Sequence, residues 1–487
     1  MKWIALLVPA VIYALSASHE PGSWDTAELQ GVPFILGISH PTGFPFYVLA
    51  GYVWSHAVAL DTVAWRMNVM SGMAVAVACT AAYATARLLG ARRLIALTAT
   101  LWFAVTPNIW SHASRAEAQD VAFMCATLGL YAMLRWMKGD STGWFVAAFA
   151  LCGLGIAAHP NALWIFPALI VGAVAGHRGA ARQRARAPLL VALAAFVAAI
   201  LLYAYLPLRS AYVVARAVDP TQTLPGAGGG IFWNYNDPRR LDGLVRELSG
   251  SEFQTPAYLA ASFNPIHFFS APLTFLTDAR AQYGTVGAVA ILVGLVVSWR
   301  RDRRATLVLL LAAVTGLVFS VIYPNESDVE RYRLLVPWVA VPFLAALAPR
   351  RFAGKPRLTD AFHALLIVLF VLAAAWNVRQ HAYFFSHAAG EGGRWVIDAV
   401  RPYVGRNDVI VTGWLDATSL AYGAYVDGSL RERIVVSDNS LRLGLYELWA
   451  RRHRVFVLLD PHGTKLLPGA QDFARIDDYH ELYLVER

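Results

Sequence analysis

The first chemistry-bearing cluster lies in WDTAELQGVPFILGISHPTGFPF, residues 24–46. Asp25 and Glu28 stand three residues apart, so on a helix they project from one side and can address one site. Such carboxylates can carry protons in general acid–base chemistry, and two close together raise one another's pKa. The spacing from Trp24 to Leu36 predicts a short amphipathic helix at the membrane surface. His40 follows in a stretch where Pro41, Gly43 and Pro45 predict a rigid turn holding it near the helix end. Asp25, Glu28 and His40 also offer the oxygen and nitrogen donors that a divalent metal accepts, but no spacing is diagnostic and no metal is assigned. The plain alternative is that the acids are solvated residues favoured by the dipole at a helix start.

Further ionisable groups recur beside apolar runs, where they are costly to desolvate and tend to mark function. They are Glu117 in SHASRAEAQD, His159 in AAHPN, Arg209 in YLPLRS, and Asp328, Glu330, Arg331 and Arg333 in ESDVERYR. A guanidinium fork matches phosphate oxygens, so the arginines are candidates for an anionic group. Each has a plainer reading. His159 could cap a turn, Arg209 could snorkel to the interface, Arg115 and Glu117 could solvate a loop, and the ESDVERYR acids could pair locally.

The elements that must position these groups are membrane helices. Of 487 residues, 57% are hydrophobic and 15% charged, and the mean hydropathy is +0.47, too apolar for a soluble domain with an ordinary charged surface. About eleven candidate spans follow: 1–17, 64–87, 94–107, 119–137, 143–158, 161–176, 188–206, 284–299, 305–323, 334–348 and 360–376. The pair from 143 to 176 also reads as a re-entrant hairpin turning at His159 and Pro160. The opening MKWIALLVPAVIYALSAS has signal-peptide character and is read as an uncleaved first helix.

The formal charge of +9 does not imply nucleic acid, because the basic residues sit in short clusters between spans. Arg87, Arg92 and Arg93, Lys138, HRGAARQRAR, RRDRR and PRRFAGKPR all fall on one side if the N-terminus is cytoplasmic. Every acidic or His motif then falls on the extracytoplasmic side, with the tail. Cys79, Cys125 and Cys152 lie in apolar runs and offer no disulfide or metal framework. Beyond about Trp395, strand-like and helix-like runs alternate, which predicts a small parallel α/β domain with no phosphate-binding loop. LPGAGGG at 224–230 reads as a flexible loop. The expected division is a membrane domain, 1–376, with functional loops at 18–63, 207–283 and 324–333, and an extracytoplasmic α/β domain, 377–487.

Asp25, Thr26 and Glu28, followed by LGISHPTGFP, resemble the first-loop signature of a family long catalogued as a domain of unknown function, which includes a vertebrate protein O-mannosyltransferase. That family is placed in the GT-C class of integral-membrane glycosyltransferases. WSHASRAEAQDVAF resembles its second loop, with Glu117 at the acidic position. GLGIAAHPNALWIFP resembles its His-containing span junction, AYLPLRSA its PLR segment, and NYNDPRRLDGLVRELSGSEFQ its Asn and Asp-Pro loop. The resemblance covers roughly residues 1–280 well and ESDVERYR loosely. Ala-Gln stands in the second loop where relatives more often carry Val-Tyr.

The resemblance implies a helical polytopic GT-C-like protein that moves a sugar, such as a mannose-like hexose, from a polyprenyl-phosphate donor to an acceptor hydroxyl on protein, lipid or glycan. On that reading Asp25 is the general base and Glu28 orients the acceptor or tunes Asp25. His40 positions the first loop or a sugar hydroxyl. Arg209, with Arg331 or Arg333 as the alternative, binds the donor phosphate; Glu117, His159 and Asp328 complete the substrate-binding set. Two other classes stay open: a lipid-linked sugar transporter or flippase, and a non-catalytic envelope assembly protein. Against a transporter, the polar groups gather on one face, and no inverted repeat is evident.

Overall fold

The computed structural model describes residues 1–139, 141–176, 186–254, 256, 260, 265–322, 329–348, 356–387, 392–459 and 470–486. Among the described residues, each candidate span is helical over most of its length. The first half of the chain gives α1 (Lys2–Ser16), α2 (Trp24–Gly31), α3 (Pro45–Ala57), α4 (Val63–Leu88), α5 (Arg93–Ala104), α6 (Pro107–Ala113), α7 (Ala118–Met137), α8 (Thr142–Ala158) and α9 (Phe166–Gly176). Then come α10 (Arg186–Ile200), α11 (Tyr205–Ala215), α12 (Leu241–Ser249), α13 (Pro265–Arg301), α14 (Arg303–Ile322), α15 (Leu335–Ala346) and α16 (Pro356–Gln380).

Among the described residues, four helical stretches are long and apolar enough to cross a membrane: Val63–Leu88, Pro188–Ala215, Pro272–Arg301 and Pro356–Gln380. The pair α5 and α6, bent by 69°, makes a fifth if it counts as one span. The bend falls where Pro107 opens α6, since a proline cannot donate to the preceding turn. A second break, at Gly284 inside α13, has φ 70°, a conformation that glycine tolerates. Small residues of α4, Ala76 to Ala86, pack against α5 and α15 in one large apolar core that Trp338 and Phe343 fill. With this core and these apolar helices, the chain is an integral membrane protein.

The segment from Trp24 to Leu36 is not the surface helix that its spacing predicts. Helix α2 ends at Gly31, and from Thr26 to Pro33 every residue is buried. The apolar residues after it pack on α3, a helix outside the eleven candidate spans, and on the C-terminal region. An apparent stripe on a short helix can thus be one wall of a fully packed core.

The C-terminal region holds α17 (Gly393–Val400), β1 (Val409–Thr412), α18 (Trp414–Tyr425), β2 (Ile434–Ser437), α19 (Leu443–Ala450), β3 (Val455–Leu459), β4 (Ala470–Arg475) and β5 (Glu481–Val485). The sheet order is β2-β1-β3-β5-β4. It is mixed rather than parallel: β1 runs parallel to β2 and β3, while β5 is antiparallel to β3 and β4. The link from β4 to β5 is a tight turn in which Asp477 accepts from the amides of Tyr479 and His480, and parallel strands would need a much longer crossover. Helix α16 runs through Gln380, past the expected end of the last span.

This region shares a core with the first loop. Ile397, Leu420 and Tyr422 pack with Leu29, Val32 and Phe232. Ser419 donates to the carbonyl of Gly22 at 3.0 Å, and the hydroxyl of Tyr422 accepts from the amide of Ala64 at 2.9 Å. The glycine run expected to be flexible is also fixed: Leu224 is buried and the indole of Trp449 donates to the carbonyl of Pro225 at 2.8 Å. A Cβ on Gly229 would lie 1.8 Å from the carbonyl oxygen of Asn234, and one on Gly230 2.5 Å from Asp219 Oδ1. Those glycines serve close packing.

Candidate active site

Helix α2 presents Asp25 in its first turn and Glu28 one turn later, and both face His40. The backbone amide of His40 donates to Glu28 Oε1 at 2.8 Å, and its Nδ1 forms a short contact with Glu28 Oε2. On the other edge of the ring, Nε2 lies 4.0 Å from Asp25 Oδ2. The turn at 40–43 closes through the amide of Gly43 donating to the carbonyl of His40 at 2.8 Å. Gly43 has φ +77°, and a Cβ there would stand 2.6 Å from Leu206, so glycine is required on both counts.

Arg331, 306 residues downstream, donates from Nη1 to Asp25 Oδ2 at 3.1 Å, and the indole of Trp414 donates to Asp25 Oδ1 at 2.9 Å. Burial alone would push the Asp25 carboxyl up. The charges of His40 and Arg331 and these two hydrogen bonds outweigh it and hold it at about 2. Burial likewise works against the imidazolium of His40, but Glu28 and Asp25 raise it to about 9. At neutral pH Asp25 is therefore a carboxylate beside the imidazolium of His40.

A hydrogen-bonded network fixes this centre to the bundle. Gln30 donates to Asn68 on α4 at 3.0 Å; Asn68 donates to the carbonyl of Ser18 at 2.9 Å and accepts from the amide of Ala116 at 2.8 Å. The hydroxyl of Tyr205 donates to the carbonyls of Leu36 and Gly37, both at 2.8 Å. Neighbouring residues of one network act together, so its members position Asp25 as a unit.

The other residues named from the sequence fall in several places. Glu117 is buried and pairs with Arg115 at 2.7 Å. His159 accepts at Nδ1 from the amide of Asn161 at 3.1 Å, the capping role. Burial, with the charges of Arg331 and His40, lowers it to about 3, so the ring is neutral and stacks 5.2 Å from Phe44. Arg209 donates to the carbonyl of Ile35 at 3.2 Å and lies over Tyr212 at 4.8 Å; it holds the first loop from outside. Arg333 donates to Ser320 Oγ at 3.0 Å. Of the three arginines, Arg331 is the one that binds Asp25. Asp328 lies outside the described residues. Among the described residues no group of three or more His, Cys, Asp or Glu is arranged to hold a metal ion.

Sequence reasoning missed the far wall. Trp414 stands 5.7 Å from the ring of His40 and 5.8 Å from Tyr235. It follows β1 directly, at the C-terminal end of a parallel strand, where open α/β sheets bring residues to ligands; that position was the available signal. From the NYNDPRRLDGLVRELSGSEFQ loop come Tyr235, whose hydroxyl donates to Glu252 at 3.0 Å, and Glu247, which accepts from Asn236 at 3.0 Å. Glu247 is fully buried, and burial pushes its carboxyl well above the ordinary range, only partly offset by Asn236 and the charge of His40. Glu252 is raised for the same reason. The site thus juxtaposes an ionised carboxylate, Asp25, with carboxyls whose surroundings favour the proton.

Residues 25–179 match the family model described as the protein O-mannosyl-transferase TMEM260 N-terminal domain. The protein O-mannosyl-transferase tmem260 of Dictyostelium discoideum is 29% identical over 109 residues, which is 22% of this chain and 13% of that protein. The crystal structure of ArnT from Cupriavidus metallidurans bound to undecaprenyl phosphate superposes with a TM-score of 0.61 at 13% identity, covering 99% of this chain and 97% of that one. Its apo structure gives a TM-score of 0.51 at 14% identity with the same coverage. The chain is similar to the N-terminal domain of the protein O-mannosyl-transferase TMEM260 family over its first third and shares the fold of ArnT along its whole backbone.

Proposed function

We propose that this protein transfers a sugar from a polyprenyl-phosphate donor to an acceptor hydroxyl, with inversion, on the extracytoplasmic face of its membrane. The observation that carries the reading is Asp25: its carboxylate is held between Arg331 and Trp414, beside a His40–Glu28 pair, with 23% of the side chain exposed. The family match over residues 25–179 and the likeness to a chain bound to undecaprenyl phosphate support the reaction class and the donor class. All eleven apolar runs would be spans, with the N-terminus cytoplasmic, residues 1–376 forming the membrane domain and the sheet of 377–487 outside.

In the proposed step Asp25 takes the proton of the acceptor O–H while that oxygen attacks the anomeric carbon. The bond from that carbon to the phosphate oxygen breaks, and polyprenyl phosphate leaves with the electron pair. Arg331 neutralises the leaving phosphate. A carboxylate held at about 2 is a weak base, and efficient proton transfer needs a closer match. Arg331 resolves this if it turns from Asp25 toward the donor phosphate, because losing a cation raises the basicity of Asp25 as the donor arrives. Glu28 keeps His40 charged and in place; Glu247 and Glu252, whose carboxyls burial raises, would hydrogen-bond sugar or acceptor hydroxyls; Trp414 and Tyr235 would supply faces for the sugar ring. Glu117 with Arg115, His159 and Arg209 would shape the site from behind, and Arg333 and Asp328 would flank the donor. No step is routed through a metal.

The test uses purified full-length protein with labelled polyprenyl-phosphate sugars and a panel of protein, lipid and glycan acceptors. Asp25→Asn should reduce transfer by roughly 10²- to 10⁴-fold, the contribution of a positioned base, while leaving the folded state and donor binding intact. Undiminished transfer by Asp25→Asn would sink the assignment. Translocation of labelled donor across vesicles without glycan product would instead favour a flippase.

A further inference from the structure

At the other end of the bundle from Asp25 lies a cavity of about 520 Å³ between α1, α4, α5 and α7, within the size range of small-ligand sites. Its lining includes Lys2, Arg87, Arg93 and Arg135 together with Tyr83 and Tyr131, and no carboxylate among the described residues. From Asn68, beside the active centre, to Arg87 along α4 is 19 residues, or roughly 28 Å at 1.5 Å per residue. This site is therefore distinct from the one already described.

Two of the cations are held in place. Arg87 donates to the carbonyl of Ala91, and Arg135 donates to the hydroxyl of Tyr131 at 3.0 Å while its guanidinium lies 4.7 Å over Trp144. Lys2 and Arg93 are exposed at the rim. Arg93 opens α5, whose first turn has no acidic residue and whose N-cap gives no side-chain hydrogen bond. A cation at the positive end of a helix is unfavourable unless an anion joins it. Neighbouring Arg92 is different, because it pairs with Asp360 at 3.1 Å and does not line the cavity.

The flank of the cavity is apolar and open. Helix α1 exposes Trp3, Leu7, Val11 and Leu15, one stripe at four-residue spacing running from the cavity toward the other membrane face. We propose that this cavity binds the phosphate headgroup of an anionic membrane lipid, with acyl chains lying along the exposed stripe of α1. Cations clustered where a helical bundle meets lipid headgroups, with apolar surface beside them, suit that ligand chemistry; a guanidinium pair fits phosphate oxygens bidentately.

Full-length protein in detergent, given phosphatidylglycerol or phosphatidylcholine at equal concentration and examined by native mass spectrometry, tests this. Phosphatidylglycerol adducts should survive at several-fold higher occupancy than phosphatidylcholine adducts. Lys2→Gln with Arg93→Gln, or Arg93→Gln alone should the pair not fold, should bring phosphatidylglycerol toward the phosphatidylcholine level, while Arg92→Gln should not. Equal retention of both lipids, or undiminished phosphatidylglycerol on the folded Arg93→Gln variant, overturns the proposal. So does inorganic phosphate matching phosphatidylglycerol in raising the melting temperature, because the cavity would then take the free ion rather than the lipid.

Discussion

His40 makes stability depend on pH in a defined direction. Its folded-state value is about 9 against an ordinary 6.5. Below 6.5 both folded and unfolded chains carry the proton, and the stabilisation from Glu28 and Asp25 is fully present. Between 6.5 and about 9 the folded protein keeps a proton that the unfolded chain has released, so stability falls by about 1.4 kcal/mol per pH unit. Over the whole interval the loss is about 3 kcal/mol, part of it shared with the ion pair of Asp25 and Arg331. His40→Gln removes the titration while keeping an amide donor. The assay is thermal unfolding of the full-length protein in detergent at pH steps from 6 to 10 for both forms. The native melting temperature should fall more steeply than the variant's between 6.5 and 9, and the curves should run parallel above that window. Parallel curves throughout would refute the inference that Glu28 and Asp25 hold His40 as an imidazolium.

Trp414→Phe keeps the ring and removes one hydrogen bond to a charged oxygen, a contact worth about 1.5–3 kcal/mol; transfer should fall roughly tenfold and the acid limb of the rate profile should move to higher pH. Arg331→Gln should raise the donor KM and shift that limb upward too, whereas Arg209→Gln, which loosens the contacts with the Ile35 carbonyl and the Tyr212 ring, should shift it little; pH–rate profiles with varied donor distinguish them. Glu247→Gln replaces a buried carboxyl, which burial pushes toward its neutral form, by an amide of the same shape and should leave the melting temperature near native, while Glu247→Leu, which strands Asn236, should lower it by the equivalent of about 1–3 kcal/mol. Gly229→Ala forces a Cβ onto the Asn234 carbonyl and should destabilise by about 1–3 kcal/mol, read from the same melts.

The sequence by itself determined the helices and the chemical nucleus. Long apolar runs leave a chain no other way to satisfy its backbone in hydrocarbon, so the extent of Val63–Leu88 is legible to within a residue at each end, and the existence of the helix Pro356–Gln380 is legible though not its ends. Asp25, Glu28 and His40 are near neighbours in the chain, and helix periodicity with a proline-rich turn is enough to bring them together. Local rules fail where partners are distant. Nothing in the spacing of ESDVERYR chooses Arg331 over Arg333 for Asp25, since one residue's rotation about the backbone decides which guanidinium faces the site. Trp414 and Glu247 reach it only because the C-terminal sheet and α12 dock on the first loop, and that docking depends on shape matching between surfaces far apart in sequence. The same long-range packing turned a surface-like helix into a buried wall and a glycine run into a fixed one. Whether Asp25 is ionised, and how weak a base it is, follows from those distant charges, so the tertiary structure alone decided it.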